Sequence, residues 1–326
     1  MKTKYLILAI ISFVIIFSCK KDEPTPEPFN FAAQSLRDDV KIKDYLETHF
    51  YTPPAAGEHF GVIAVIANGE TPIMDNVIEK DVTYANIGFK MYILKDNPEG
   101  VNISPIRVDS VLVNYKGMLF DTDKTVFDSN SSNGFWANLY GGVIPGWSYG
   151  MPYFKSGNNI SVEGQPLAFS GTGKGVIFIP SGLGYANTPT VAIPANSPLI
   201  FHVEAASVKR TDIDRDGVLS FYEDTDGDGE VNNDDFDADT KPNFIDFDDD
   251  NDGIATKYEN ADVNGDGNPD DSIDTDGDNN PDYLDSDDDG DGIATKSENS
   301  DPNGDGNPDD AKDSDGDNVP DYLDAN

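Results

Sequence analysis

Carboxylates recur at alternate positions in the C-terminal third of this 326-residue chain and then stop at a glycine or an asparagine. Asp212, Asp214 and Asp216 precede Gly217 and Glu223; Asp248, Asp250 and Asp252 precede Gly253 and Glu259; Asp287, Asp289 and Asp291 precede Gly292 and Glu298. Three side-chain oxygens this close can converge on one hard cation only where the chain turns sharply after the third, which Gly, or Asn at positive φ, permits. The chemistry on offer is oxygen coordination of a divalent ion such as Ca2+.

A second style of loop runs through Asp274, Asp276, Asp278, Asp282 and Asp285 and returns at Asp313, Asp315, Asp317, Asp321 and Asp324. Asp224, Asp226, Asp228 and Asp235 supply a further one. The pattern is a repeat: an offset of 39 carries residues 250–257 onto 289–296, and an offset of 36 carries 214–223 onto 250–259. The first style matches positions 1, 3, 5, 6 and 12 of an EF-hand-like calcium loop. The second resembles thrombospondin type 3 repeats, in which side chains and carbonyls wrap successive calcium ions without flanking helices. That resemblance implies structural Ca2+ in residues 212–326 and little regular secondary structure there. Val, Ile, Leu, Phe and Tyr make up only 20 of these 115 residues, so metal binding and folding are expected to be coupled.

Charge separates this region from the rest. Of 61 acids and 22 bases in the chain, 41 and 5 lie from Asp212 onward, leaving the preceding part near neutral. A surface this acidic excludes a nucleic-acid binder, since phosphates would be repelled. The single Cys excludes an internal disulfide.

The near-neutral part reads as an antiparallel, β-rich α+β domain. Apolar residues Leu36, Val40, Ile42, Tyr45, Leu46 and Phe50 fall at helical intervals between Ala33 and Phe50, and Pro53-Pro54 closes that helix. Short strands are expected at 60–66, 82–84, 89–94, 108–115, 175–179 and 199–208. Three clusters then fix a resemblance. They are Val111 to Leu119 followed by Val126-Phe127-Asp128-Ser129, then Gly142 to Trp147, then Ile179-Pro180 through Tyr185 to Glu204. In this order they resemble the FKBP-type peptidyl-prolyl isomerases over residues 87–208. The resemblance implies a twisted antiparallel sheet wrapped on one short helix near residues 147–154. It also implies isomerisation of Xaa-Pro bonds in polypeptide partners, without a cofactor. Tyr115, Phe127, Phe135, Val143, Ile144, Trp147 and Phe201 would wall the proline pocket, with Trp147 as its floor. Asp128 would be hydrogen-bonded to Tyr115, and the Ile144 N–H and Tyr185 hydroxyl would donate to the peptide. Two departures stand out: a Gly-rich excursion at 157–173, and Ala186 where the family usually has Gly. Both loops are expected to rim the pocket. A non-catalytic reading, a proline-peptide docking or spacer protein, remains open on these residues.

Residues 33–86, a helix with short strands, form a segment of their own in this reading. At the N-terminus, Lys2 and Lys4 precede a 13-residue apolar run that ends at Ser18-Cys19. The run is too short to span a bilayer and has the shape of a secretory signal over residues 1–18. The Cys after a small residue resembles the lipobox of bacterial lipoproteins, which implies lipidation of Cys19 and a membrane anchor. Lys20-Lys21-Asp22-Glu23 resembles the short export tag of outer-membrane lipoproteins, which implies a cell-surface location, the alternative being a periplasm-facing one. Pro24, Pro26 and Pro28 stiffen a tether over 19–32.

Overall fold

Three strand sequences, Ile87–Lys95, Gly173–Ile179 and Leu199–Lys209, are mostly apolar and mostly buried. Successive strand side chains face opposite ways, so such strands need cover on both sides. The computed structural model describes residues 29–96, 100–121 and 123–325 and supplies that cover. In chain order the elements are α1 (Phe31–Thr48), β1 (His49–Thr52), β2 (Val62–Val65), β3 (Val77–Tyr84), β4 (Ile87–Lys95), β5 (Ser110–Leu119) and β6 (Val126–Asn138). They continue with α2 (Pro145–Gly150), β7 (Asn158–Asn159), β8 (Phe169–Ser170), β9 (Gly173–Ile179) and β10 (Leu199–Lys209). A six-stranded antiparallel sheet in the order β3-β4-β9-β10-β5-β6 dominates.

On one face Phe89, Met91, Ile93, Ile177, Ile179, Phe201 and Val203 pack with Trp147 and Met151 of the α2 segment. On the other, Tyr92, Leu94, Val176, Phe178 and Ile200 pack with Ile42 and Leu46 of α1. The alternation along each strand assigns every apolar side chain to one of two cores.

The expected strands are present, extended to 77–84 and 87–95 on the N-terminal side, and β6 is a further strand beyond them. The short helix falls at Pro145–Gly150 and runs on into one 3-10 turn at Met151–Tyr153. The segment 33–86 is not separate from the sheet. Its last strand, β3, pairs with β4 across a turn at Ala85 and Asn86, both at positive φ, so the 86/87 boundary lies inside a hairpin. The α1 face also differs from the expected stripe. Leu36 and Val40 are exposed, at 72% and 59%, while Ser35 and Asp38 are buried. The reason is polar: Ser35 Oγ donates to Gly88 O at 2.7 Å, and Asp38 Oδ2 accepts Ser181 N and Oγ at 2.8 and 2.6 Å. Those bonds rotate α1 about its axis. Phe31 and Ala32, assigned to the tether, begin the helix, and Phe50 lies in β1 rather than in α1.

From Asp212 onward the described residues hold short 3-10 turns and neither strand nor α-helix. This region is docked on the sheet domain. Val231 and Phe244 pack with Val108, flanked by Ile106, Ile213 and Ile245. Tyr140 meets Phe244 edge-on at 5.2 Å, Arg210 pairs with buried Asp109, and Arg107 pairs with Glu230. The signal segment, Cys19 and most of the tether lie outside the described residues.

Candidate functional site

All nine residues expected at the proline pocket line one cleft of about 200 Å³: Tyr115, Phe127, Asp128, Phe135, Val143, Ile144, Trp147, Tyr185 and Phe201, joined by Gly142. Sheet register explains the convergence. In β5 and β10, Tyr115 pairs with Val203 and Gly117 with Phe201; in β5 and β6, Gly117 pairs with Asp128. A side chain at Gly117 would strike the Phe127 ring at 2.6 Å and Phe201 at 2.9 Å, so glycine there lets the two rings meet. Residue 146 is glycine for a similar reason: a Cβ would lie 2.4 Å from Ile179, and its absence seats α2 directly on β9.

The walls form an edge-to-face cage. Trp147 stands at 5.2 Å and 80° to Tyr115 and at 5.3 Å and 88° to Phe201, while Phe127 meets Phe201 at 5.5 Å and 84°. Such perpendicular contacts match ring edges to ring faces. Trp147 and Phe201 are buried, whereas Phe135 and Tyr185 stand at the exposed rim. Two donors are free in this apolar setting: Trp147 Nε1 is buried with no partner among the described residues, and Ile144 precedes the first turn of α2, where its N–H is not used by the helix. Tyr115 Oη donates to Asp128 Oδ2 at 2.8 Å. Burial, then the Asp128 hydrogen bond and charge, push the Tyr115 hydroxyl up to about 12. It is therefore a proton donor throughout the neutral range.

The 157–173 excursion does not rim this cleft. It forms the β7-β8 hairpin, and its residues Leu167, Ala168, Phe169 and Thr172 line a second cleft with His59, Asn114 and Glu204. Asn114 and Glu204 alternate with Tyr115 and Val203 along their strands, so they face the opposite side of the sheet. Glu204 gathers Thr172 Oγ1 at 2.6 Å, Asn114 Nδ2 at 3.0 Å, Lys174 Nζ at 3.1 Å and the His59 ring. The Gly171 to Gly175 turn is thus a polar support for a buried carboxylate. Of the other loop, Tyr185 lines the cleft, while Ala186, which follows it at φ +50, is not among the lining residues.

The acidic loops take the sharp turns their spacing requires. Gly217, Gly253 and Gly292 stand at φ +110, +102 and +95, and Asn279 and Asn318 at +81 and +79. The first Asp accepts from the N–H of the turn residue itself in Asp248 with Gly253 at 3.2 Å and Asp287 with Gly292 at 3.0 Å, whereas Asp212 accepts from Arg215 N at 2.6 Å. Asp212, Asp214 and Asp216 converge, as do Asp224, Asp226 and Asp228, each set with oxygens within 4.8 Å of one another. Asp235 converges with Asp237 and Asp239, two acids outside the expected pattern. Asp250, Asp252 and Glu259 gather with Asp288. Burial, then neighbouring carboxylates, raise Glu223 to about 11, Glu259 to about 12 and Glu298 to about 7. Asp282 behaves differently: Thr275 N and Oγ1 donate to it at 2.7 and 2.8 Å. Asp321 likewise takes Ser314 N and Oγ and Lys312 Nζ at 2.6 to 2.7 Å. These two expected ligands serve as acceptors that fold the loop.

The residues present fit a cation. Both oxygens of Glu223 and of Glu259 are buried without a partner, as is one oxygen each of Asp214, Asp216, Asp250 and Asp252. Native interiors do not leave such groups unpaired, and clustered like charges are worse still.

Residues 102–206 match the family of FKBP-type peptidyl-prolyl cis-trans isomerases, and residues 213–269 match the family described as BamM C-terminal. Among curated proteins the chain is similar to the isomerase FkpA of Escherichia coli (strain K12), 33% identical over 132 residues that are 40% of this chain and 42% of that protein. It is also similar to FkpA of Aeromonas hydrophila, 30% identical over 149 residues, or 45% of this chain and 48% of that one. The chain therefore spans less than half the length of these relatives. Of solved structures, FkpA from Escherichia coli aligns at 26% identity and TM-score 0.32, over 54% of this chain and 62% of that chain. Every residue lining the aromatic cleft lies within residues 102–206, the segment that matches the FKBP-type peptidyl-prolyl cis-trans isomerase family.

Proposed function

We propose that this chain is a peptidyl-prolyl cis-trans isomerase for exported or cell-surface polypeptides, tethered to a membrane through lipid on Cys19 and carrying Ca2+ in its acidic repeats. The observation that carries the catalytic part is the cleft itself: perpendicular rings around a floor of Trp147, with Tyr115 and Asp128 hydrogen-bonded at 2.8 Å. Rotation about an Xaa-Pro bond meets about 18–20 kcal/mol because amide resonance must be broken. The twisted amide is less polar than the planar one, so a dry, apolar cleft favours it, and only that difference in binding lowers the barrier. Phe127, Phe201, Val143 and Trp147 exclude water from the proline ring. Tyr115 fixes the Asp128 carboxylate so that it faces the cleft in one orientation. No nucleophile or general acid is needed, which agrees with a site whose titratable side chains are Asp128 and the two phenols Tyr115 and Tyr185.

Bound calcium would neutralise the carboxylates of the repeats and order their loops. Asp212, Asp214, Asp216, Asp224, Asp226, Asp228, Asp250, Asp252 and Glu259 would hold it, and the orphaned oxygens of Asp214, Asp216, Asp224, Asp250, Asp252 and Glu259 support that reading. The lipid anchor rests on the lipobox-like Ser18-Cys19 alone.

Exchange spectroscopy on an Xaa-Pro peptide with the full chain tests the enzyme reading. Faster cis-trans exchange supports it; peptide binding without faster exchange establishes the docking reading instead. Palmitate labelling that survives Cys19→Ala would remove the anchor.

A further inference from the structure

Asp249 and Asp288 each occupy the second position of a loop, between two of the alternating carboxylates. A side chain there cannot serve its own loop in the alternating pattern. Both residues are nevertheless 2% exposed, and neither oxygen of either carboxylate has a partner among the described residues. Asp249 lies with Asp216 and Glu223 of the preceding loop, and Asp288 with Asp250, Asp252 and Glu259 of the preceding loop, each set with oxygens within 4.8 Å.

We infer that the second-position carboxylate of such a loop completes the cation site of the corresponding loop in the repeat before it, so that one divalent ion staples consecutive repeats at Asp249 and again at Asp288. The inference rests on the calcium reading above and adds to it the ligand that crosses between repeats. Three observations carry it. First, the two junctions are copies. Asp216, Glu223 and Asp249 correspond to Asp252, Glu259 and Asp288 at the repeat offsets of 36 and 39, and buried Tyr283 and Tyr322 stand beside them at the same offset of 39. Second, each crossing residue is held in place by its own loop. Thr256 Oγ1 accepts Asp249 N at 3.2 Å and Thr295 Oγ1 accepts Asp288 N at 3.1 Å. The backbone is fixed while the carboxylate is spent elsewhere. Third, the first loop is an internal control. Its second position is Ile213, whose N–H is held by Ser220 Oγ at 3.2 Å, as Thr256 holds Asp249. No calcium loop precedes it; the isomerase domain does, and Ile213 packs on Val108, Val231 and Phe244. Among the three loops that end in Gly and a Glu, this position is an acid at Asp249 and Asp288, which follow another repeat, and apolar at Ile213, which follows the β-domain; the other loops carry Thr225, Phe236, Thr275 and Ser314 there.

The donor set is oxygen only and carries three or four negative charges, which suits calcium. A buried, unpaired carboxylate with no cation is the alternative, and it is the costly one. Loss of a junction ion should therefore uncouple neighbouring repeats as well as vacate a site.

Calcium is titrated calorimetrically into the stripped full chain, as wild type, Asp249→Asn, Asp288→Asn and the exposed-residue control Asp309→Asn. Each second-position variant should weaken one ion by at least about tenfold, with the remaining ions and the control unchanged. In saturating calcium, Asp288→Asn should also speed tryptic cleavage after Lys296. Wild-type number and affinity in both variants overturns the inference while leaving the calcium reading intact. A wild-type chain that takes up no calcium overturns both. If a variant loses several ions, Asp288→Glu, which restores the charge, should recover all but the weakened one; failure to do so overturns the inference.

Discussion

Tyr115 and Asp128 sit diagonally across neighbouring strands, Tyr115 opposite Asn130 and Asp128 opposite Gly117, and the phenol donates to the carboxylate at 2.8 Å. The bond closes over the one strand position with no side chain. Through it the polar pair of the cleft and its aromatic cage are set by a single register.

That dependence makes Gly117 a sensitive position. Gly117→Ala puts a methyl group into Phe127 and Phe201. Displacing packed rings should cost about 1–3 kcal/mol of stability and abolish most peptide affinity. Denaturant melts and peptide titration measure both; a variant with unchanged affinity would mean that the two rings do not define the cleft.

Ala186 offers the opposite sign. At φ +50 it is in the left-handed region, where a Cβ costs roughly 1–2 kcal/mol, yet its N–H and carbonyl are both engaged, with Ser181 O and Asn196 N at 2.7 Å each. Ala186→Gly should therefore raise stability by about 1 kcal/mol without moving the loop. A lowered melting temperature would contradict this.

His202 gives the pH dependence. It is 1% exposed, and burial, then the Lys116 charge, hold its pKa down to about 3. Unfolded, the ring takes a proton near pH 6.5 that the folded ring refuses. Stability from this group is thus complete above pH 6.5 and is lost as pH falls from there toward 3. His202→Leu should keep stability within about 1.5 kcal/mol at pH 8 and flatten the loss between pH 6.5 and 4. Parallel slopes for variant and wild type would rule out His202 as the source.

Much of the cleft was legible because it rests on side-chain types in a fixed order. Tyr115, Phe127, Asp128, Trp147, Tyr185 and Phe201 are large or polar residues at positions where a bland core would carry aliphatics. The α1 face was not legible: helical periodicity assigns Leu36 and Val40 inward, and the contacts of Ser35 with Gly88 and of Asp38 with Ser181, 53 and 143 residues away, turn the helix. The side of the sheet covered by the 157–173 hairpin was hidden likewise, since strand parity tells which residues share a face but not which face a loop crosses. In the repeats, alternation revealed each loop's own ligands, whereas Asp249 and Asp288 act across sequence and look like filler. Their signal was available in the contrast with Ile213.

Calcium removal should reach the sheet domain. Phe244 and Val231, held between acidic loops, pack on Val108 at the entry to β5. Chelation should therefore raise amide exchange at residues 106–109 as well as in the repeats. Phe244→Ala should do the same in saturating calcium at a cost of about 3–5 kcal/mol. Exchange at 106–109 that ignores both treatments would show the two parts to be energetically independent.

The central claim is that the aromatic cleft accelerates Xaa-Pro isomerisation. The most direct test compares kcat/KM on an Xaa-Pro peptide for the wild-type full chain and for a Trp147→Ala, Asp128→Ala double variant, with folding of both verified by circular dichroism. The cleft described here predicts wild-type turnover well above the uncatalysed rate and a loss of at least about 100-fold in the folded double variant. Equal turnover by the two chains would contradict it.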